Sequence, residues 1–190
     1  ALEGGAFVWR WALVNPLSAV LAVSACLFYV FVYTLWLKRT STQNIVIGGA
    51  AGAVPVLIGW SSVTNSLSWA PVVLFALIFF WTPPHFWALA IKYKDDYAAA
   101  DVPMLPSVAS YRHTTNQILG YTLVVWACSL VFAPVAGMGL LYVGAAVVLG
   151  AVFTWMAVEV RLTESPKKAM RLFTFSITYI TLLFAVMALD

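Results

Sequence analysis

The chain has 190 residues, of which 63% are hydrophobic and 9% are charged, whereas roughly 25% are charged in ordinary soluble domains. A water-soluble fold of this length buries only about 70% of the surface that its unfolded chain exposes, too little to hide so much apolar surface. The composition therefore excludes an ordinary soluble domain and predicts that lipid surrounds most of the molecule. Nucleic acid is not expected as a partner.

Six apolar runs are long enough to cross a bilayer, which takes about 20 predominantly apolar residues in a helix. They cover residues 17–37, 45–63, 69–91, 117–133, 140–160 and 172–189. They predict an all-α, polytopic transmembrane bundle, with residues 1–190 in one membrane-embedded domain. Cys26 and Cys128 each lie inside an apolar run without a second nearby thiol, so we interpret them as small buried hydrophobic residues.

The stretch 5–14 comes before these runs and is apolar apart from Arg10, but it is too short to span a membrane. It ends at Asn15-Pro16, which is a turn signal. We expect it to be the last part of a helix that begins upstream of Ala1, so that the chain is truncated at its N-terminus.

The connections between the runs alternate in charge. Three of them carry no charge, at Asn15-Pro16, 64–68 and 134–139. The other three carry nine of the ten basic residues: Lys38, Arg39, Lys92, Lys94, Arg112, Arg161, Lys167, Lys168 and Arg171. Because basic residues near helix ends mark the cytoplasmic side, these three connections are predicted to be cytoplasmic, most simply at a bacterial plasma membrane. The alternative is that these basic residues only fix the topology and contact anionic lipid. We favour this alternative for the third connection.

The third run and its following connection read WTPPHFWALAIKYKDDY over residues 81–97. Adjacent prolines remove backbone donors and clash with the preceding turn, so we expect the helix to break there, with Thr82 capping a new half-helix that starts at Pro83. A simple proline kink is the alternative. Broken helices at membrane depth line cavities, and their N-terminal ends attract anionic groups.

If the half-helix is continuous, His85, Leu89, Lys92 and Asp96 lie nearly on one line along it. An ionisable residue inside a span is a functional-site hypothesis by default. His85 is therefore a candidate for ligand binding or proton transfer, although it could instead cap a freed carbonyl group.

The connection after this helix holds the acidic cluster of the sequence, Asp95, Asp96 and Asp101, among basic residues. Two neighbouring carboxylates with substrate phosphate oxygens suit Mg²⁺, and nearby lysines would neutralise the remaining charge. A solvated helix end with a Lys92–Asp96 pair is the alternative.

The first basic connection, KRTSTQN at 38–44, has two cations and five polar residues that could cradle a diphosphate. The following GGAAG at 48–52 is interpreted as close helix packing.

These segments resemble the protoheme IX farnesyltransferase (haem O synthase) family of UbiA-type intramembrane prenyltransferases. The resemblance extends over essentially the whole chain and is carried by WTPPHFWAL at 81–89, KDDY at 94–97, PMLP at 103–106 and the basic connection with its glycine-rich helix at 33–59. It implies a nine-helix bundle that transfers a farnesyl group from farnesyl diphosphate to a vinyl group of haem B, with Mg²⁺ as cofactor. Haem A synthase and terminal oxidase assembly proteins are the expected protein partners, beside the lipid bilayer.

The residues and the resemblance together predict one site. It comprises Asp95, Asp96 and Lys92 as catalytic groups, Asp95 and Asp96 as metal ligands, Lys38, Arg39, Lys94 and Asn44 around the diphosphate, and His85, Trp81, Phe86, Trp87 and Tyr93 around haem and the prenyl chain. The aromatic rings would shield a carbocation from water and stabilise its charge.

The chain departs from the family pattern at two points. The first acidic motif of the family, with its Asn and Asp residues, would lie upstream of Ala1, and Lys92 stands where the superfamily often has the first Asp of D-x-x-x-D. We therefore expect the 190-residue chain by itself to be inactive. Two rival functions remain: a UbiA-type transferase with another aromatic acceptor, which the Pro-Pro-His segment disfavours, and a membrane transporter, for which the sequence has no internal repeat.

Overall fold

The computed structural model describes residues 2–190, and every regular element in this part of the chain is a helix. In chain order the elements are α1 (Leu2–Leu13), α2 (Pro16–Leu27), a π-helix (Phe28–Leu37), α3 (Lys38–Thr40), α4 (Asn44–Thr64), α5 (Trp69–Lys92), α6 (Lys94–Ala99), α7 (Leu105–Val108), α8 (Tyr111–Ala136), α9 (Leu140–Thr163) and α10 (Pro166–Leu189).

Six helical segments are long and apolar enough to cross a membrane, which confirms the predicted number of spans. They are Pro16–Thr40, Asn44–Thr64, Trp69–Lys92, Tyr111–Ala136, Leu140–Thr163 and Pro166–Leu189. The chain is an integral membrane protein. Many large apolar side chains on its outside are exposed, including Trp36, Trp69 and Trp155, as expected where lipid is the solvent.

Two spans begin about a turn and a half before the predicted apolar runs. The Ser110 hydroxyl accepts a hydrogen bond from the His113 backbone N–H at 3.2 Å and so starts α8 at Tyr111. Pro166 starts α10 at the first helical position, where a missing N–H costs nothing. Hydropathy marks the lipid-embedded part of a helix, whereas capping groups decide where the helix begins.

Helix α5 is the centre of the bundle, because it packs against α4, α8 and α10. The helices α8, α9 and α10 pack in chain order beside it, and α2 packs against α4 on the other side. Twelve residues of α5 are buried, among them both of its adjacent prolines. The core therefore surrounds the segment that carries the Pro-Pro-His motif.

The predicted break at Pro83-Pro84 is wrong, since α5 is continuous from Trp69 to Lys92. Thr82 does not cap a new helix: its hydroxyl donates to the Ile78 carbonyl at 2.9 Å, one turn earlier in the same helix. Dense packing on α4, α8 and α10 holds the helical geometry, and neighbouring helices make such prolines tolerable in spans.

The second unexpected feature is the π-helix at Phe28–Leu37, in the second half of the first span. Its wider hydrogen-bond spacing is visible where the Lys38 N–H donates to the Tyr33 carbonyl, five residues back. The Thr34 hydroxyl likewise donates to the Tyr29 carbonyl at 2.9 Å. Such segments are rare and frequently accompany functional sites.

At the uncharged end of the bundle, buried polar side chains join the start of α2 to the end of α4. Asn15 Nδ2 donates to the Ser61 carbonyl at 2.7 Å, and the hydroxyls of Ser18 and Ser61 lie 2.7 Å apart. At the start of α9 the Gly139 N–H donates to the Asp190 carboxylate.

The basic connections meet one another through side-chain contacts. Arg161 Nε donates to Asn116 Oδ1 at 2.6 Å, and the Tyr111 hydroxyl donates to the Val160 carbonyl at 2.9 Å. Lys168 pairs with Glu159 at 3.0 Å within the third connection.

Candidate active site

Two cavities adjoin each other along the π-helix, α4 and α5. The first, here called the apolar cavity, has a volume of about 550 Å³ and lies between membrane-spanning segments. Small and aromatic side chains line it: Ala25, Cys26, Tyr29, Tyr33, Ile45, Gly48, Gly49, Ala51, Gly52, Ile78, Trp81, Thr82 and Phe86. Nothing charged lines this cavity, so it suits a hydrocarbon chain.

The second, here called the polar cavity, has a volume of about 500 Å³ and opens at the basic end of the bundle. Its lining contains one cation, one carboxylate and several tyrosines: Tyr33, Lys38, Ile45, Phe86, Tyr93, Asp96, Tyr97, Ala100, Val102 and Met104. Lys38 and Asp96 come from two different connections that lie 58 positions apart in the sequence. A ligand in the polar cavity would therefore lie near both the Lys38 ammonium and the Asp96 carboxylate.

Tyr33, Ile45 and Phe86 line both cavities and thus form the boundary between them. The ring of Tyr33 lies against Gly48, where a Cβ would collide with it, and stacks on Tyr29 with the ring centroids 5.4 Å apart. Gly49 similarly leaves room for Thr82, whose Cβ would lie 3.2 Å from an added Cβ. The glycines therefore permit close packing, as predicted, and they also shape a cavity.

The connection after α5 folds over the polar cavity. The Val102 N–H donates to the Tyr97 carbonyl at 3.0 Å, and Met104 is buried with 2% of its surface exposed. Asp101 adopts a left-handed φ of 53°, which reverses the chain between α6 and α7. These contacts bring Tyr97, Val102 and Met104 into the cavity lining.

Among the predicted diphosphate and metal residues, the structure brings Lys38 and Asp96 to the polar cavity. Asp95, Lys92 and Lys94 are exposed and are outside the lining of both cavities. The predicted line from His85 to Asp96 is wrong, because α5 ends at Lys92 and α6 begins separately at Lys94. Neighbouring residues of α6 point about 100° apart, so Asp95 faces away from Asp96.

Arg39 and Asn44 were predicted beside Lys38, but they lie in other surroundings. Arg39 lines a separate crevice of about 330 Å³ beside α6 and α7, together with Asp101 and Ser107. Asn44 is 1% exposed, and its Nδ2 donates to the Lys38 carbonyl at 3.3 Å, so it holds the backbone of the basic connection.

The predicted aromatic residues divide among three environments. Trp81 and Phe86 line the apolar cavity, and Tyr93 lines the polar one. Lys92 Nζ lies 5.1 Å from the centre of the Tyr93 ring, a cation–π distance. Trp87 is 1% exposed and packs edge-on against Tyr121, inside the protein and away from both cavities.

His85 is buried between α5 and α10. Its ring stacks on Trp81 and on Phe173, with centroid distances of 4.2 and 4.5 Å, and its Nδ1 lies 2.7 Å from the Ser176 hydroxyl. It does not line either cavity. A haem contact at His85 stays a prediction.

A divalent metal would find an incomplete set of ligands in this part of the protein. Residues 2–190 contain no group of three or more His, Cys, Asp or Glu side chains that could hold a metal ion. Asp96 is the carboxylate that lines the polar cavity. One carboxylate fits Mg²⁺ when phosphate oxygens of a bound substrate supply further ligands.

Sequence reasoning missed Tyr29, Tyr33 and Ile45 as site residues. The two tyrosines recur four positions apart in an otherwise apolar span, and this spacing could have placed them on one helix face. Ile45 carried no such signal, since an isoleucine in a span is ordinary.

The comparisons with known proteins point to one family. The chain is 60% identical over 182 residues to the protoheme IX farnesyltransferase of Parafrankia sp. (strain EAN1pec), covering 93% of this chain and 57% of that protein. It is 58% identical over 183 residues to the protein of that name from Frankia casuarinae, covering 93% and 62%, and 50% identical over 193 residues to that from Mycobacterium leprae, covering 100% and 62%.

The chain thus spans 57–62% of the length of these three curated relatives. No solved structure matches it. The model of the UbiA prenyltransferase family matches residues 1–184. The helices of this chain also surround an apolar cavity next to a charged one. On the match to the family model, the chain belongs to the UbiA prenyltransferase family.

Proposed function

We propose that the protein transfers the farnesyl group of farnesyl diphosphate to a vinyl group of haem B, giving haem O for terminal oxidase assembly. The observation that carries this proposal is the pair of adjoining cavities. Farnesyl diphosphate has a long apolar chain joined to a highly charged head. The apolar cavity matches the chain, and the polar cavity, with Lys38 and Asp96, matches the head. The names of the relatives, protoheme IX farnesyltransferases, support haem as the acceptor.

The polar cavity provides for the charge of the leaving group. When the C1–O bond of farnesyl diphosphate breaks, both electrons leave with the diphosphate, and its negative charge grows. The Lys38 ammonium, which lines the cavity, would neutralise part of that charge. Asp96 would hold Mg²⁺, which would supply electrophilic stabilisation of the same group.

The boundary between the cavities is where C1 of the farnesyl group would lie. Tyr33 and Phe86 line both cavities, so their rings would stabilise the allylic cation there and keep water away from it. The terminal vinyl carbon of haem B forms the new C–C bond to C1. Water then adds to the neighbouring carbon and releases a proton, so the products are haem O and diphosphate.

The orientation in the membrane belongs to the same proposal. We infer that the end bearing Lys38, Asp96 and Arg161 faces the cytoplasm of a bacterial cell, because basic residues concentrate there. A cysteine introduced at exposed Glu164 should react with a membrane-impermeant thiol reagent in inverted vesicles and not in right-side-out vesicles. Labelling from the outside would overturn this orientation.

The direct test supplies the full-length protein, in lipid nanodiscs, with haem B, farnesyl diphosphate and Mg²⁺. We expect a haem product heavier by one farnesyl group plus one hydroxyl group, and release of diphosphate. Geranyl diphosphate, which is shorter, tests whether the apolar cavity selects chain length. Diphosphate release with a phenolic quinone precursor, and none with haem B, would replace the acceptor while keeping the reaction class.

A further inference from the structure

The ring of His85 is enclosed on three sides. Trp81 covers one face at 4.2 Å between ring centroids, and Phe173 covers the other at 4.5 Å. Nδ1 contacts the Ser176 hydroxyl at 2.7 Å. The Phe86 ring also approaches, nearly perpendicular at 5.0 Å between ring centroids, and the residue as a whole keeps 8% of its surface exposed. Within residues 2–190, Nε2 makes no hydrogen bond.

The hydrogen bonds of Ser176 decide which nitrogen of His85 carries the proton. Ser176 Oγ lies 2.6 Å from the Phe173 carbonyl oxygen and 2.7 Å from His85 Nδ1. Each contact is short enough to need one proton, and a serine hydroxyl has only one. The carbonyl oxygen has no proton to give, so the hydroxyl proton points to Phe173. The proton of the other contact must come from His85 Nδ1.

Ser176 is itself held in place. It is fully buried, and its carbonyl accepts a hydrogen bond from Trp81 Nε1 at 2.9 Å. Trp81 thus stacks on the imidazole and also anchors the residue that bonds to it. His85, Trp81 and Ser176 form one rigid unit between α5 and α10.

We propose that Ser176 is a positioning residue that holds His85 with its proton on Nδ1 and leaves Nε2 as a free electron-pair donor for the iron of haem. An imidazole binds a metal through its unprotonated nitrogen, and a bond from the other nitrogen fixes that choice. In the described part of the chain, Nε2 makes no hydrogen bond and is not fully buried, which leaves it accessible from outside the packed unit. The iron assignment rests on the proposed function, whereas the assignment of the proton to Nδ1 does not.

Nuclear magnetic resonance of protein labelled with ¹⁵N-histidine reads the tautomer directly. We expect a neutral imidazole with a protonated Nδ1 and an unprotonated Nε2, the reverse of the form that free neutral histidine prefers. The H85N variant identifies the signals by their loss. A proton on Nε2 in the wild-type protein would overturn the proposal.

Substitutions on α10 test whether Ser176 sets this tautomer. S176A removes the acceptor for the Nδ1 proton and should shift the population towards the Nε2–H form, and S176T should restore the wild-type shifts because it keeps a hydroxyl. T174A is the matched control, since Thr174 is exposed and its hydroxyl bonds only to its own helix at the Met170 carbonyl. Unchanged His85 shifts in S176A would overturn the role of Ser176.

Ferric haem B is the probe for the iron. We expect an imidazole-ligated spectrum in the full-length protein, its loss in H85A, and its return when free imidazole is added to H85A. Ligation that persists in H85A would overturn the iron assignment. A wild-type protein that binds no haem B would overturn that assignment and the proposed acceptor together, and the nitrogen shifts would still decide the tautomer independently.

Discussion

The ring of Tyr33 lies so close to Gly48 that a Cβ at position 48 would occupy the space of the ring, with Tyr33 Cε2 at 2.7 Å. This contact joins the π-helix to α4 at the boundary of the two cavities. Because Tyr33 borders both cavities, the position of its ring sets the width of the passage between them. On the proposed function, this passage would join the prenyl chain to its diphosphate.

We expect Gly48→Ala to displace the Tyr33 ring and to lower kcat/KM for farnesyl diphosphate by about tenfold, as misplacement of a substrate-contacting group commonly does. Gly52→Ala is the control, since Gly52 lines the same apolar cavity on the same helix and nothing lies within 4 Å of an added Cβ. Steady-state kinetics of both variants check this. Equal rates would mean that Tyr33 does not control the passage.

The two neighbouring aspartates of α6 differ in what they face, and this difference is testable. Asp96 lines the polar cavity, whereas Asp95 does not. We expect Asp96→Asn to reduce kcat/KM by about a hundredfold or more, since a metal ligand contributes several kcal/mol to stabilising the leaving group. Asp95→Asn should change kcat/KM by only a few-fold.

The same variants should differ in their response to metal. Removing divalent ions with EDTA should stop turnover of the wild-type enzyme, and added Mg²⁺ should restore it. Asp96→Asn should need a higher Mg²⁺ concentration for half-maximal activity, and Asp95→Asn should not. A stronger effect of Asp95→Asn would assign the metal to the other carboxylate.

The adjacent cations of the first basic connection, Lys38 and Arg39, line different cavities. Lys38 lines the polar cavity, and Arg39 lines the crevice that contains Asp101. We expect Lys38→Gln to raise the KM for farnesyl diphosphate by about 10–100-fold, because the substitution removes one charge-assisted hydrogen bond to phosphate. Arg39→Gln should leave this KM within a few-fold of the wild-type value. The reverse order would place the diphosphate in the crevice.

The spans and the charged end could be predicted from the sequence because each depends on local composition. A run such as 69–91 is apolar over the thickness of a bilayer whatever its neighbours are, and Lys38 and Asp96 end up at the same end because spans alternate in direction. Both residues were predicted as site residues from the basic connection, the acidic cluster and the family resemblance, and both line the polar cavity.

The remaining features depend on tertiary packing, which the sequence does not display. Pro83-Pro84 predicts a break when α5 is considered alone, but packing on three neighbouring helices keeps it continuous. The π-helix changes which residues share a face, so Tyr33 reaches the cavity from a span that looks uniformly apolar. The partner of His85 is Ser176, which lies 91 positions later on α10.

A last prediction concerns the packing of α8 on α9, away from both cavities. The Trp126 indole lies over buried Gly150, so an added Cβ would collide with the ring, whereas nothing lies within 4 Å of a Cβ added at Gly144 on the same helix. Alanine is favoured over glycine inside a helix by about 1 kcal/mol, and overpacking a buried site costs about 1–3 kcal/mol.

At position 150 the collision should therefore outweigh the gain in helix propensity, whereas at position 144 only the gain should remain. We expect Gly150→Ala to lower the thermal unfolding midpoint in detergent and Gly144→Ala to keep or raise it. Trp126→Phe combined with Gly150→Ala should recover part of the loss, because the smaller ring makes room for the methyl group. If both alanine variants raised the midpoint, the indole would have to be free to move off Gly150, and the α8–α9 contact would be looser than this packing implies.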